Sequence, residues 1–116
     1  MNSRRPRADS RAAAALPAPA ARAMRRRAGT AAAFLKALAN EQRLCILCTL
    51  VERPLSVGEL NAEVDLSQSA LSQHLAVLRA AGLVTTARRG QTIRYAVPAG
   101  DVRRVLTTLH DVFCAR

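Results

Sequence analysis

Residues 66–84 read Leu66-Ser-Gln-Ser-Ala-Leu-Ser-Gln-His-Leu-Ala-Val-Leu-Arg-Ala-Ala-Gly-Leu-Val84, and this stretch decides the fold. Ser67 suits an N-cap, because its hydroxyl can accept a bond from an unpaired amide of the first turn. Leu66 before it and Leu71 four residues after it make the apolar pair that fixes how a chain enters a helix. Leu71, Leu75 and Leu78 then recur on one face at helical spacing, and Gly82 supplies the stop. The spacing predicts a helix over about Ser67–Ala81. Its other face carries Ser69, Ser72, Gln73 and Ala76, with Gln68 at the leading edge. A solvated face ordinarily carries Lys and Glu. Short and amide side chains instead suit close approach to base edges in a major groove. The plainer alternative is an amphipathic core helix with a serine-rich exterior.

Two β-prone runs follow, Leu83–Gly90 and Gln91–Val97, meeting at Arg89-Gly90-Gln91. Glycine in the turn with β-branched residues on both sides predicts a hairpin. Its tip is basic through Arg88 and Arg89, with Arg94 on the returning strand. Such arginines also occur merely as solubilising groups, but beside this helix phosphate contact is the stronger reading. The expected fold is mainly α with a small β-hairpin wing, a winged helix-turn-helix. Gln68, Ser69, Ser72 and Gln73 are placed near base edges, and Ser67, His74, Arg88, Arg89 and Arg94 nearer phosphates.

The remaining elements follow from caps and stops. Thr30 can open a first helix to about Ala39, with Phe34, Leu35 and Leu38 as its buried stripe. Asn40 can cap a second, with Leu44, Leu47, Cys48 and Val51 on a buried face, ending before Pro54. Ser56 or Val57 starts a short helix through Val64. Asp101 opens a last helix whose apolar stripe, Val102, Val105, Leu106, Leu109, Val112 and Phe113, is too wide for a helix flanking one small core. No internal repeat is present.

A chain of 116 residues allows one domain with a modest core. Aromatic residues are 3% and Trp is absent, so that core must be aliphatic. The net charge of +10 points to a polyanionic partner, but its distribution is uneven, +7 over residues 1–27 and +3 over residues 28–116. The leader, residues 1–27, is Ala, Arg, Pro and Ser with a single Leu, and is expected to be a disordered basic tail. Residues 28–116 form the domain. A secretory signal is the competing reading of the leader, but Pro17 and Pro19 interrupt the small-residue run and no apolar h-region exists. Initiation at Met24 is a third. No stretch is long enough to cross a membrane. The expectation is a cytoplasmic, nucleoid-associated protein with no membrane partner.

Several stretches in register resemble the ArsR family of small bacterial repressors: Ala37-Leu-Ala-Asn-Glu-Gln-Arg-Leu44, Leu55-Ser-Val-Gly-Glu-Leu60, Leu66–Leu75, Leu83-Val84 and the wing. The resemblance covers roughly residues 30–114. It implies a homodimer, joined through the first and last helices, on double-stranded operator DNA with an inverted repeat. It also implies operator release when an inducer alters the dimer's shape.

Three cysteines bear on the inducer. In the family's metal sensors, ligands sit in a Cys-x-Cys cluster on the helix before the recognition helix, or in Asp/His sets on the last helix. Here the first location reads Leu55-Ser-Val-Gly-Glu-Leu60, with no thiol or imidazole. The last helix has Asp101, His110 and Asp111 but no second histidine near His110. Those sites are absent, so no metal ligands and no cofactor are assigned. The cysteines ending Ile46-Leu47-Cys48 and Val112-Phe113-Cys114 match instead the thiol pair of the family's redox and reactive-sulfur sensors. The resemblance implies that Cys48 and Cys114 of one protomer become joined by a disulfide or a bridge with extra sulfur atoms, under a reactive sulfur species or an oxidant. A reversible pair suits a reducing cytoplasm. The alternative for each thiol is packing as a small hydrophobe. Cys45 has no counterpart in the family pair. It reads as packing, or as completing a Cys45/Cys48/Cys114 site for a thiophilic metal or metalloid, which is the second functional reading. An enzyme is not expected: neither His74 nor His110 has an orienting acid or oxyanion loop with a cysteine, and the five glycines are scattered, so no catalytic residue is assigned.

Overall fold

The computed structural model describes residues 17–114. Its elements are α1 (Ala18–Leu38), α2 (Glu41–Glu52), β1 (Leu55–Ser56), α3 (Val57–Glu63), α4 (Gln68–Ala80), β2 (Thr85–Arg89), β3 (Thr92–Ala96) and α5 (Asp101–Phe113). By its contacts the chain divides into Met1–Ala33 and Phe34–Arg116, and the second unit holds the packed core.

The first helix begins at Ala18, well before the expected Thr30, so residues 18–27 are helical where a disordered tail was expected. Ala, Arg and Met are strong helix formers. Pro19 falls in the first turn, where its missing N–H costs no intrahelical bond, so it opens a helix and does not interrupt one. Residues 1–16 of the expected tail lie outside the described residues. Of the expected α1 stripe, Leu38 is buried and Phe34 half-buried, but Leu35 is 58% exposed.

Asn40 caps α2 as its position suggests, its side chain accepting from Arg43 N at 3.0 Å. The Arg43 guanidinium turns back to the end of α1, where Nε donates to the Ala37 carbonyl at 2.7 Å and a terminal nitrogen to Lys36 at 3.3 Å. Those carbonyls belong to the last turn of α1, which lacks the usual i+4 donors, so this one side chain helps to close the end of α1. Ser56 and Glu59 form a reciprocal capping box at the start of α3. Asn61 Nδ2 donates to Leu66 O at 2.8 Å across the turn into α4.

Ser67 caps α4 with 3.1 Å to Ala70 N, and Leu71, Leu75 and Leu78 are its buried residues. The helix ends in a Schellman motif: Leu83 N reaches Leu78 O at 2.9 Å and Gly82 N reaches Arg79 O at 3.0 Å, with Gly82 at φ 76°. Leu83 and Val84 then enter the core before the wing begins. Strands β2 and β3 pair antiparallel from Thr85↔Ala96 to Arg89↔Thr92, leaving Gly90-Gln91 as a two-residue turn. Only Gly90 has positive φ there, at 62°, the pattern of a type II′ hairpin.

A third strand joins this sheet. β1 pairs with β3 through Leu55↔Tyr95 and Ser56↔Arg94, giving the order β1-β3-β2 and making β3 central. Two residues are too short to show alternation, so Leu55-Ser56 read only as the approach to a helix. The core brings Ile46, Leu47 and Leu50 of α2 together with Leu55, Leu60, the three leucines of α4, Val97 and Leu106. No described helix is long and apolar enough to cross a membrane.

Candidate nucleic-acid interface and thiol cluster

The three leucines that bury one side of α4 leave Gln68, Ser69, Ser72, Gln73 and Ala76 exposed on the other. Ser67 and Ser69 are tied through their hydroxyls at 3.3 Å, which steadies the first turn. His74, expected near phosphate, is half-buried at the edge of this face. Val77, one turn beyond Gln73 and 44% exposed, extends the face with an apolar patch suited to a thymine methyl. Its place in the i, i+4 series from Gln73 is readable from the sequence.

On the wing, Arg88 and Arg89 are exposed at the hairpin end, and Arg88 also donates to the Gly90 carbonyl at 3.4 Å. Arg94 differs. It lies in the central strand and faces Glu59 of α3 at 3.6 Å. The Ser56 backbone N–H donates to Glu59 Oε1 at 2.9 Å. That hydrogen bond is the largest influence on the Glu59 carboxyl; desolvation, second in size, opposes it, and the Arg94 charge, the Ser56 hydroxyl and the Arg53 charge add to it, so the carboxyl is held below its ordinary range. Arg94 is therefore partly neutralised, unlike the two wing-tip arginines.

All three cysteines are free and exposed. Cys48 does not lie on the buried stripe expected of it. That stripe is centred on Ile46, Leu47 and Leu50, about one residue from the expected phase, and Cys48 looks out between helices. It shares a cleft of about 260 Å³ with Val51, Glu52, Leu106, Thr107 and His110. His110 lies one turn before Cys114, and the Cys114 amide donates to its carbonyl at 2.8 Å. Partial burial, then the neighbouring charges of Cys45 and Cys114, push the Cys48 thiol up from its ordinary value. Cys48 thus senses both of the other thiols, Cys45 on its own helix and Cys114 at the end of α5. Among the described residues no group of three or more His, Cys, Asp or Glu is arranged to hold a metal ion.

One further side chain joins this junction to the wing. Arg103, half-buried on α5, donates to Val51 O of α2 at 2.7 Å and to Val97 O, just past β3, at 3.0 Å. Nothing in its local sequence marks it, because both acceptors are backbone carbonyls distant in the chain.

The last helix buries only Leu106. Val102, Val105 and Leu109 are half-buried, while Val112 and Phe113 are 53% and 76% exposed.

The profile of the bacterial regulatory proteins of the arsR family matches residues 40–86, from the cap of α2 into β2. The transcriptional activator HlyU of Vibrio cholerae is 48% identical over 91 residues, 78% of this chain and 84% of the relative. A biofilm growth-associated repressor of Agrobacterium fabrum is 44% identical over 93 residues, 80% of each chain. Among solved structures, reduced HlyU from Vibrio cholerae superimposes with a TM-score of 0.73 over 78% of this chain and 96% of its own. The repressor BigR from Xylella fastidiosa gives 0.74 at 39% identity, over 82% and 97%. The family match takes in the capped α2 and the helix-turn-helix, and with these relatives it shows that the chain belongs to the ArsR family of bacterial regulatory proteins, a DNA-binding transcriptional regulator and not an enzyme.

Proposed function

We propose that the chain is a homodimeric repressor that binds an inverted-repeat operator and releases it when Cys48 and Cys114 of one protomer are bridged by a reactive sulfur species or an oxidant. What supports this reading is that Cys48 lines the cleft between α2 and α5 together with His110, one turn before Cys114, towards the end of α5 that bears exposed Val112 and Phe113. Exposed apolar side chains at Leu35 and at the end of α5 suit a partner protomer, since a small aliphatic core gains from burying them. The biofilm growth-associated relatives are named repressors, and one solved relative is described as reduced, which supports regulation through a thiol state.

The device works by geometry. A bridge tethers the end of α5 to α2. α2 packs against α4, and Arg103 links α5 to α2 and to the exit of β3. A small rotation of α5 alters the spacing of two α4 helices that must enter successive major grooves. Coupling of this kind is worth about 1–3 kcal/mol.

Operator binding before and after persulfide or peroxide treatment, with intact-mass analysis of wild type, Cys48→Ser, Cys114→Ser and Cys45→Ser, tests the reading. Release is expected in wild type and Cys45→Ser only. Retained release in Cys48→Ser or Cys114→Ser sinks it. Release by a stoichiometric soft metal that requires Cys45 replaces it with a thiophilic-metal sensor.

A further inference from the structure

Cys45 is left over by the pair just described, yet it is not packed away. It is exposed on α2 three residues before Cys48, and the two line one open cleft of about 550 Å³ between α2 and the Val64–Leu66 turn. Cys48 also lines the smaller cleft against α5, so it stands between two candidate partners. Of the two neighbouring thiols, Cys45 exerts the larger electrostatic effect on it.

We propose that Cys45 and Cys48 form a second, intrahelical site for sulfane sulfur, closed as a trisulfide, which diverts Cys48 from Cys114 without releasing DNA. The proposal rests on the reading of Cys48 as a sulfur-reactive thiol. Residues three apart on a helix have Cβ atoms about 5–6 Å apart. A disulfide requires about 3.5–4.5 Å, so direct closure would distort α2, whereas one inserted sulfur spans the gap. The helix is held at this point: the Thr49 hydroxyl donates to the Cys45 carbonyl at 2.8 Å.

The chemistry balances. Each thiolate attacks the outer sulfur of an organic persulfide, taking up one sulfur and expelling the donor's thiolate. The two protein persulfides then condense: one attacks the other, hydrogen sulfide leaves, and Cys45 and Cys48 remain joined through three sulfurs. Relative to the dithiol, the chain has gained one sulfur and lost two hydrogens. Both ends of this bridge lie on one helix, so α5 stays untethered.

The test uses the full chain carrying Cys114→Ser, whose altered residue is exposed at a helix end. Treated with excess glutathione persulfide, it is expected to gain one sulfur and lose two hydrogens, with peptide mapping placing the link between Cys45 and Cys48. Its operator affinity should change by less than about twofold, against the roughly 5–150-fold of an allosteric coupling. Hydrogen peroxide should leave the two thiols mostly unlinked. In the otherwise wild-type chain, Cys45→Ser should lower the persulfide dose that releases operator. Two separately alkylatable persulfides with no link overturn the proposal, as does equally complete closure by peroxide. An unchanged dose response in Cys45→Ser shows that no diversion occurs and also overturns it. These outcomes are distinct from failure of the Cys48–Cys114 reading, which appears as operator release in Cys114→Ser.

Discussion

Arg103→Met removes the two bonds that join α5 to the rest of the fold while keeping most of the side chain's bulk. The guanidinium reaches Val51 O at 2.7 Å and Val97 O at 3.0 Å. Val51 lies in the last turn of α2, so its carbonyl has no helical donor to fall back on. Hydrogen bonds from a charged group are worth about 1.5–3 kcal/mol each when desolvated. The site is only half-buried and water can replace part of what is lost, so the expected destabilisation is about 2–3 kcal/mol. For a domain of this size that lowers Tm by about 10–20 °C. Urea unfolding at fixed protein concentration, with an unchanged slope, is the assay, because the stability of a chain that self-associates depends on concentration. Arg103→Lys should recover less than half, since one ammonium cannot serve both carbonyls as a planar fork does. A loss below about 0.5 kcal/mol, the range of ordinary surface substitutions, would refute the assignment.

Gln73→Ala should relax operator preference by about 1–3 kcal/mol, while Arg89→Ala should weaken all sequences alike and flatten the salt dependence; equal losses on operator and random DNA in both would show the roles misassigned. Deleting residues 1–27 should leave the Phe34–Arg116 fold and the proposed dimer intact and lower non-specific DNA affinity most at low salt, as titrations across ionic strength would report; failure to dimerise would move the domain boundary. Glu59 has a depressed pKa, so its contribution to stability is present above the ordinary value of 4.5 and is lost as pH falls through the lower folded value. Glu59→Gln should remove that acid dependence from urea midpoints measured across the range. It should also free Arg94 for phosphate and steepen the salt slope of DNA binding by about one.

The elements most legible in the sequence were those whose signals are local and agree. Ser67, the leucine triplet and Gly82 each specify the same helix, and α4 has the expected cap, buried face and Schellman end. Asn40 and the Gly90 turn were legible for the same reason. What escaped was either too short or too distant in the chain. β1 exists because β3 offers it an edge, and Arg103 matters because the fold brings Val51 and Val97 within its reach. Of the two prolines read as interrupting the small-residue run, Pro19 falls in the first turn of α1, which tolerates it.

Cys48 shows a deeper limit of periodicity. An apolar stripe marks everything a helix hides from water, and it does not divide that face between the protomer's own core and another surface. On α5 the division falls along the helix: Leu106 is inside, while Val112 and Phe113 stand out at the far end. On α2, counting cysteine as one more hydrophobe broadened the stripe and drew Cys48 into it, although Ile46, Leu47 and Leu50 suffice to hold the helix. An exposed thiol at the rim of two clefts can be reached by a reagent without unfolding α2. Its raised pKa then keeps most of it protonated near neutral pH, so its attack should quicken as pH rises, and removing the Cys45 or Cys114 charge should shift that profile to lower pH. Initial rates of iodoacetamide labelling at Cys48 across pH, in wild type and in the two serine variants, measure this directly. Profiles that coincide would mean that the thiols do not sense one another, and the electrostatic basis for grouping them would fall.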